Sequence, residues 1–235
     1  EERVNVDYED LPPVLVQAVL SAEDRKFFDH SGIDPVGIGR AFYQSVLGDS
    51  HSQQGGSTIT QQYVKQTYLT SERSLERKLK EAVLAVKLEG ELDKRDILTR
   101  YLNEIYFGRG AYGVEAASRE YFGIGVENLQ LHQAAYLAGL IRSPESADAT
   151  RDPEEATRRR DTVLAGMVAE GYITQEQADE AGAVPWVWEP AAADGSPQTM
   201  TVLPRSTDTS DLGAVRYAED GSEYWVDLVR RQLRH

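Results

Sequence analysis

The sequence predicts a mainly α-helical protein, and three observations support this fold class. Apolar residues recur with helical periodicity from residue 11 to about residue 182. Capping residues and glycines mark the ends of the predicted helices. No convincing series of alternating strands appears in the same region. With 235 residues, 40% hydrophobic and 27% charged, the chain is long enough for one well-buried domain plus an appendage.

The first predicted helix ends on a carboxylate that lies where a core residue is expected. Asp10 can cap the helix, and Pro12-Pro13 suits a first turn whose N–H groups have no partner. At about 100° per residue, one side of the helix carries Val16, Val19, Leu20, Glu23 and, one turn further, Phe27. A buried Glu23 would have a raised pKa, which suits a general base or acid near neutrality. The alternative is an exposed acid at a frayed end, paired with Arg25 or Lys26.

The stretch from residue 34 to residue 54, DPVGIGRAFYQSVLGDSHSQQ, differs from the helical segments around it in combining apolar residues with glycines. Its apolar residues are interrupted by glycines, which weaken a rigid helix. Such a segment could lie in a membrane interface. The alternative is an ordinary surface loop that covers the core.

A polar turn follows in QGGSTITQQYVKQTYL. Gly55-Gly56 permits close approach of a ligand to the backbone. The residues after it offer uncharged hydrogen-bonding groups and one charge, namely Ser57, Thr58, Gln61, Gln62 and Lys65. By itself this turn is a weak signal.

The next helix, SLERKLKEAVLAVKLEGEL, carries the second candidate carboxylate. Leu75, Leu79, Val83 and Val86 make one apolar face, and Leu84 and Leu88 lie on the other side. The C-terminal half is thus apolar nearly all round, which implies burial. Glu81 stands between an apolar half and a cationic half that contains Arg73, Arg77 and Lys78. The alternative is a structural pair of Arg77 with Glu81 one turn apart, worth only a few tenths of a kcal/mol if it is exposed.

Further helices are predicted in DKRDILTRYLNEIYFG, ending at Gly108, and in VEAASREYF, LHQAAYLAGLI and EEATRRRDTVLAGMVAEG. Thr174 and Gln177 have the spacing of a capping box for another. After Gly182 the composition turns to Pro, Ala, Ser and Thr, as in a linker or the edge of another module. EYWVDLVRRQL then resembles a short amphipathic element, so we expect the chain to end inside a larger protein.

Charge and composition exclude several classes of function. A net charge of −14 argues against a general nucleic-acid binder. Residues 65–80 are locally cationic, which indicates either a site for an anion or a solvated helix face. The chain has no cysteine, and its four histidines lack metal-ligand spacing. No signal peptide and no stretch of ~20 apolar residues is present.

Two partly buried carboxylates, a cationic cluster and a polar glycine turn favour one kind of chemistry. A glycoside hydrolase needs two carboxylates but has no use for several cations. Transfer of a sugar from a pyrophosphate needs both, because one carboxylate takes the acceptor proton and the cations stabilise the departing phosphate.

Five ordered segments carry a resemblance to a known family. They are EDRKFFDHSGID, GGSTITQQYVKQ, RKLKEAVLAVKLE, ILTRYLNEIYFGRGAYGVEAAS and LAGLIRSPES. Residues 8–182 resemble the peptidoglycan glycosyltransferase (family 51) domain of class A penicillin-binding proteins. Two differences from the family pattern are Gln66 in place of Asn and His132 in place of a frequent Glu.

The resemblance implies a lysozyme-like, multi-helix domain over residues 1–182, with a flexible, membrane-associated jaw near residues 35–50. Residues 183–235 would form an interdomain linker and the start of a truncated transpeptidase region, and could include short β-strands. The implied reaction polymerises lipid II into β-1,4-linked glycan and releases undecaprenyl pyrophosphate with inversion. The domain would work at the outer face of the cell membrane, anchored by a transmembrane helix outside this sequence. Other cell-wall synthesis proteins could be partners, and nucleic acid is not expected.

The resemblance also implies roles for individual residues. Glu23 matches the catalytic base and Glu81 the second essential carboxylate, near the donor pyrophosphate. Substrate-binding positions match Asp24, Phe27, Ser57, Thr58, Gln61, Gln62, Lys65, Arg73, Arg77 and Lys78. No cofactor is required by this chemistry, although a divalent cation, Mg²⁺ or Mn²⁺, could accompany the donor pyrophosphate.

Two rival functions stay open at the level of sequence. One is a lytic enzyme that cleaves glycan on a similar scaffold, which would shorten purified glycan strands. The other is a non-catalytic scaffold that binds wall-synthesis proteins and has an inactive cleft.

Overall fold

The computed structural model describes residues 5–39, 56–68, 75–187 and 200–203. Its helices, named here in chain order, are α1 (Pro13–Glu23), α2 (Ile59–Tyr68), α3 (Leu75–Glu91), α4 (Lys94–Glu104), α5 (Val114–Phe122), α6 (Leu131–Leu140), α7 (Pro153–Ala169) and α8 (Gln175–Ala183). Short 3-10 turns span Tyr8–Asp10 and Val126–Asn128. The two-residue strands β1 (Trp186–Val187) and β2 (Met200–Thr201) pair in parallel. The prediction of a mainly helical protein is therefore confirmed.

Helix α1 packs against α6 and α7, which also pack against each other. Its buried face contains Val16, Val19, Leu20 and Glu23, as the periodicity predicted. The predicted cap is wrong in detail, because the Asp10 carboxylate accepts a hydrogen bond from the Asp7 N–H and closes the preceding 3-10 turn. Helix α6 is buried along almost its whole length, which is why its sequence is apolar nearly all round.

Helix α2 packs against both α3 and α4. Thr58 and Gln61 form a reciprocal capping pair at the start of α2: the Thr58 N–H donates to Gln61 Oε1 at 3.0 Å, and the Gln61 N–H donates to Thr58 Oγ1 at 3.1 Å. Gly32 has φ +90°, and a Cβ there would lie 2.7 Å from the backbone of Ala85 in α3. The chain after α1 therefore approaches α3 as closely as only a glycine allows.

The prediction that the apolar C-terminal half of α3 is buried is wrong for one of its faces. Leu79, Val83 and Val86 are 67%, 60% and 46% exposed, whereas Glu81 and Ala85 are buried. The helix thus turns its acidic and small residues toward α2 and the cleft and leaves its branched apolar residues on the surface. Leu75 belongs to the same predicted face, but its side chain lies outside the described part of the structure.

Other helix ends agree closely with the sequence. Thr174 caps α8 in the predicted box with Gln177. Helix α4 ends at Glu104, four residues before the predicted stop, because Ile105 adopts an extended conformation and the chain enters a turn. Gly108 has φ +95° within that turn.

The described part of the predicted linker packs on the helices. The Trp186 indole donates to Thr157 Oγ1 at 2.9 Å, and Val202 is fully buried. The Arg109 guanidinium, buried beside Asp148, donates to the Leu203 carbonyl at 2.7 Å. The predicted amphipathic element EYWVDLVRRQL lies outside the described residues. Among the helices that the structure describes, none is both long and apolar enough to cross a bilayer.

Candidate active site

One cleft brings most of the predicted site residues together. It has a volume of about 300 Å³ and lies where the C-terminal end of α1 meets α2 and α3. Its walls hold two carboxylates, four cations and two uncharged polar groups: Glu23, Glu81, Lys65, Arg77, Lys78, Arg142, Ser57 and Gln62.

Glu23 is buried, with 3% of its side chain exposed. Its Oε1 accepts from Arg142 Nε at 2.9 Å, and its Oε2 accepts from Gln62 Nε2 at 2.8 Å. Gln62 is fixed in turn, since its Oε1 accepts from the Tyr101 hydroxyl at 3.0 Å. The alternative of an exposed acid is excluded, and Arg25 pairs instead with Glu170.

Burial raises the pKa of Glu23 above its ordinary value, and this effect exceeds the opposing influence of Arg142 and Gln62. Burial, with Glu23 nearby, likewise raises the pKa of Tyr101 far above its usual range, so the phenol stays protonated and donates. The site therefore holds a carboxylate that binds a proton more readily than a carboxylate in water, as a general base requires.

Glu81 has a different environment although it is just as buried. Its Oε1 accepts from Arg77 Nη1 at 2.5 Å, and its Oε2 accepts from Lys78 Nζ at 2.8 Å. Lys78 Nζ also donates to Ser57 Oγ at 2.7 Å. The predicted pair of Arg77 with Glu81 thus exists, but it forms part of the cleft wall. Half of the Lys78 side chain is exposed, so its charge faces the open side.

Four predicted substrate-binding residues lie behind the cleft wall. The Asp24 carboxylate accepts from the Ile59 N–H at the start of α2. Thr58 and Gln61 cap that helix and are almost fully buried. Phe27 is 0% exposed and packs in the core, which leaves its ring no surface for a substrate. Their positions suit support of the site and not direct contact with a ligand.

Arg142 is the main site residue that the sequence reasoning missed. It follows α6 within the segment LAGLIRSPES, and it also donates through Nη2 to the Ala22 carbonyl at 3.0 Å. The signal was its position in one of the five resembling segments, but no local pattern connects it to Glu23. Of the predicted cations, Lys65 lines the cleft, and Arg73 lies outside the described residues.

Within the described ranges, no group of three or more His, Cys, Asp or Glu residues is arranged to hold a metal ion. His132 therefore belongs to no metal-binding group among the described residues. Burial and nearby Arg160 lower the pKa of His132 to about 4, so it is neutral near pH 7.

Comparison with known proteins identifies the family. A family model described as Transglycosylase matches residues 1–168. The chain belongs to the transglycosylase family. This confirms the family predicted from the five segments.

Several penicillin-binding proteins are similar to this transglycosylase. Penicillin-binding protein 1A of Aquifex aeolicus is 49% identical over 77% of this chain, and the Escherichia coli protein of the same name is 44% identical over 77%. A crystal structure of Penicillin-Binding Protein 1A from Haemophilus influenzae aligns over 80% of this chain and 18% of that chain, at 24% identity and a TM-score of 0.46. The transglycosylase chain spans 25% and 21% of the lengths of the first two relatives.

Proposed function

We propose that this chain polymerises lipid II into β-1,4-linked glycan, with release of undecaprenyl pyrophosphate. The observation that carries the proposal is the pairing, in one cleft, of a buried carboxylate of raised pKa with a group of cations. A base and an anion site are the two things that glycosyl transfer from a diphosphate donor requires.

Glu23 is the proposed general base. It takes the proton from the 4-hydroxyl of the acceptor N-acetylglucosamine while that oxygen forms a bond to the anomeric carbon of the donor N-acetylmuramic acid. Each oxygen of Glu23 already accepts one hydrogen bond, from Arg142 or from Gln62. A carboxylate oxygen can accept a second, so the acceptor hydroxyl can bind without displacing either partner.

The cationic wall is the proposed site for the donor diphosphate. As the anomeric C–O bond breaks, its electron pair leaves with the diphosphate, and Lys65, Arg77 and Lys78 stabilise that charge. Glu81 holds Arg77 and Lys78 in place on one face of α3. Arg73, which lies four residues before Arg77 in the sequence, would add a further positive charge to this wall.

The proposal requires no cofactor. A divalent cation such as Mg²⁺ or Mn²⁺ would enter bound to the donor diphosphate. The acceptor would be the growing glycan strand or a second lipid II, and attack opposite the leaving group inverts the anomeric centre.

The site of action in this proposal is the outer face of the cell membrane, with residues 35–50 in the outer leaflet and a lysozyme-like arrangement of the helices. Two described residues of that stretch, Val36 and Ile38, are 60% and 45% exposed and apolar, which supports contact with lipid. The full-length protein is proposed to carry an anchoring transmembrane helix and a penicillin-binding transpeptidase domain. Other wall-synthesis proteins would bind it there.

A polymerisation assay with purified lipid II in detergent tests the proposal. Wild-type protein should form glycan, and Glu23→Gln should reduce the rate by about 10²–10⁴-fold. Lys87→Met is a matched control, because Lys87 is 72% exposed on the far side of α3. Full activity of Glu23→Gln would refute the assigned base. Shortening of purified glycan strands would support a lytic enzyme, and absence of any turnover by wild type would support a scaffold.

A further inference from the structure

A line of buried charged groups lies behind the cleft and takes no direct part in the proposed reaction. It runs from α4 to α1 through Lys94, Glu89, His30 and Asp24. The side chains of His30, Asp24 and Glu89 are only 5–7% exposed. Burial of so many ionisable groups costs free energy, and such groups are kept where they are mutually paired.

The geometry of this line assigns the proton on His30. Its Nε2 lies 2.9 Å from Asp24 Oδ2, and an ionised carboxylate can only accept, so Nε2 carries a hydrogen. Its Nδ1 lies 3.3 Å from Lys94 Nζ, and an ammonium group can only donate, so Nδ1 accepts. The contacts with Asp24 and Lys94 are therefore satisfied together in the Nε2–H tautomer of His30, whose Nδ1 also lies 3.9 Å from Glu89 Oε1.

The same line reaches the active site through Asp24. Its Oδ2 also accepts from the N–H of Ile59, the first residue of α2, at 3.0 Å. Gln62 lies one helical turn further along α2 and donates to Glu23, which directly precedes Asp24 in the chain. Asp24 thus ties the first turn of α2 to the end of α1, and this tie sets the position of Gln62 against Glu23.

We propose that Lys94 is a positioning residue for the base. It fixes His30 in the tautomer that donates to Asp24, and Asp24 then holds the turn of α2 that presents Gln62 to Glu23. Lys94 is itself held, since its Nζ donates to Glu89 at 2.8 Å and lies 4.5 Å from the centre of the Phe27 ring. The inference rests on the proposed function only in treating Glu23 as the base.

Nitrogen-15 spectroscopy of the imidazole rings tests the proposal without any assay of activity. The chain has four histidines, and His30→Gln identifies the signals of His30. At about pH 7.5, roughly one unit above the pKa of an unperturbed histidine, wild-type His30 should show the shifts of the Nε2–H tautomer. A proton on Nδ1, or on both nitrogens, would overturn the proposal even if no variant folds.

Variants extend the test to function. Lys94→Met should change the His30 nitrogen shifts and lower kcat for lipid II polymerisation by about tenfold or more, with KM nearly unchanged. Lys94→Arg, which keeps a donor, should recover part of the loss, and exposed Lys87→Met should match wild type. A folded Lys94→Met variant with wild-type shifts and full kcat would refute the role.

The two proposals can fail separately. If wild-type protein polymerises no lipid II but shows the Nε2–H tautomer, and Lys94→Met changes it, the proposed function falls and the hydrogen-bonded line from Lys94 through His30 to Asp24 stands. If polymerisation is normal but His30 carries its proton on Nδ1, only the positioning role falls.

Discussion

Replacing Glu23 by glutamine should reduce the rate by about 10²–10⁴-fold, and it should also raise the stability of the variant relative to wild type as the pH increases. Burial outweighs the hydrogen bonds of the Glu23 carboxylate to Arg142 and Gln62, so its pKa in the folded state lies above its ordinary value. When Glu23 is ionised, folding removes its charge from water, and its hydrogen bonds compensate only part of the cost. A carboxamide of nearly the same shape avoids this cost at every pH, but it has one acceptor oxygen instead of two and so leaves either Arg142 Nε or Gln62 Nε2 without its acceptor.

The sign and the size of the effect follow from linkage. A raised folded pKa means that the native state holds the proton more tightly, so the contribution of Glu23 to stability is fully present below the unfolded pKa of about 4.3 and is lost as the pH rises through the folded pKa. Each pH unit between the two pKa values corresponds to about 1.4 kcal/mol. For a chain of this size, about 1 kcal/mol shifts Tm by roughly 2–4 °C.

Calorimetry of wild type and Glu23→Gln at several pH values measures this difference. The Tm of the variant minus that of wild type should increase as the pH rises from below about 4.3, where the Glu23 side chain is protonated in both the folded and the unfolded state, through the raised folded pKa. Ser21→Ala, in the same helix but with a hydroxyl that makes no hydrogen bond in the described structure, controls for general effects on α1. A variant that is equally destabilised at all pH values would refute the reasoning, because the carboxylate would then be compensated by its partners.

Three further predictions concern the surroundings of the base. Arg142→Met removes the cation that lowers the pKa of Glu23, so the acid limb of the pH–rate profile should move to higher pH. Lys78→Met should raise the KM for lipid II by about tenfold, since a half-exposed cation of the diphosphate wall is lost, whereas Lys80→Met, on the solvent side, should not. Gly32→Ala forces a side chain into a left-handed conformation against the backbone of α3, and calorimetry should show a loss of about 2 kcal/mol or more.

Local sequence patterns predicted the position of Glu23 well. The periodicity of α1 is set by neighbours within two turns, and its apolar residues are uninterrupted, so a carboxylate in register with them had to face the core. The reciprocal caps of α2 and α8 were equally local, because each joins residues three positions apart.

The orientation of α3 could not be predicted in the same way. Its C-terminal half is apolar nearly all round, so the sequence predicted burial without indicating which face lies inside, and the structure leaves Val83 and Val86 exposed. The chain after α1 meets α3 at the backbone of Ala85, which Gly32 approaches closely. This contact joins residues 53 positions apart and has no local signature.

The same limit explains Arg142. It meets Glu23 across 119 residues of sequence, and only the packing of α6 beside α1 brings the two together. Asp24 and Phe27 were predicted to bind substrate because they lie in a resembling segment, but such a match does not give the direction of a side chain. In the structure Asp24 accepts from the Ile59 N–H of α2, and Phe27 points into the core.

The balance of charge in the cleft bears on which substrate it fits. Four cations and two carboxylates leave an excess of two positive charges in a protein whose net charge is −14. Both oxygens of Glu81 accept hydrogen bonds from cations, so this carboxylate holds the cationic wall of the cleft. An uncharged glycan would leave the cationic excess uncompensated, and a diphosphate diester with two negative charges would neutralise it. The charge of the wall therefore favours a diphosphate-linked donor over a glycan chain as the molecule that occupies this side of the cleft.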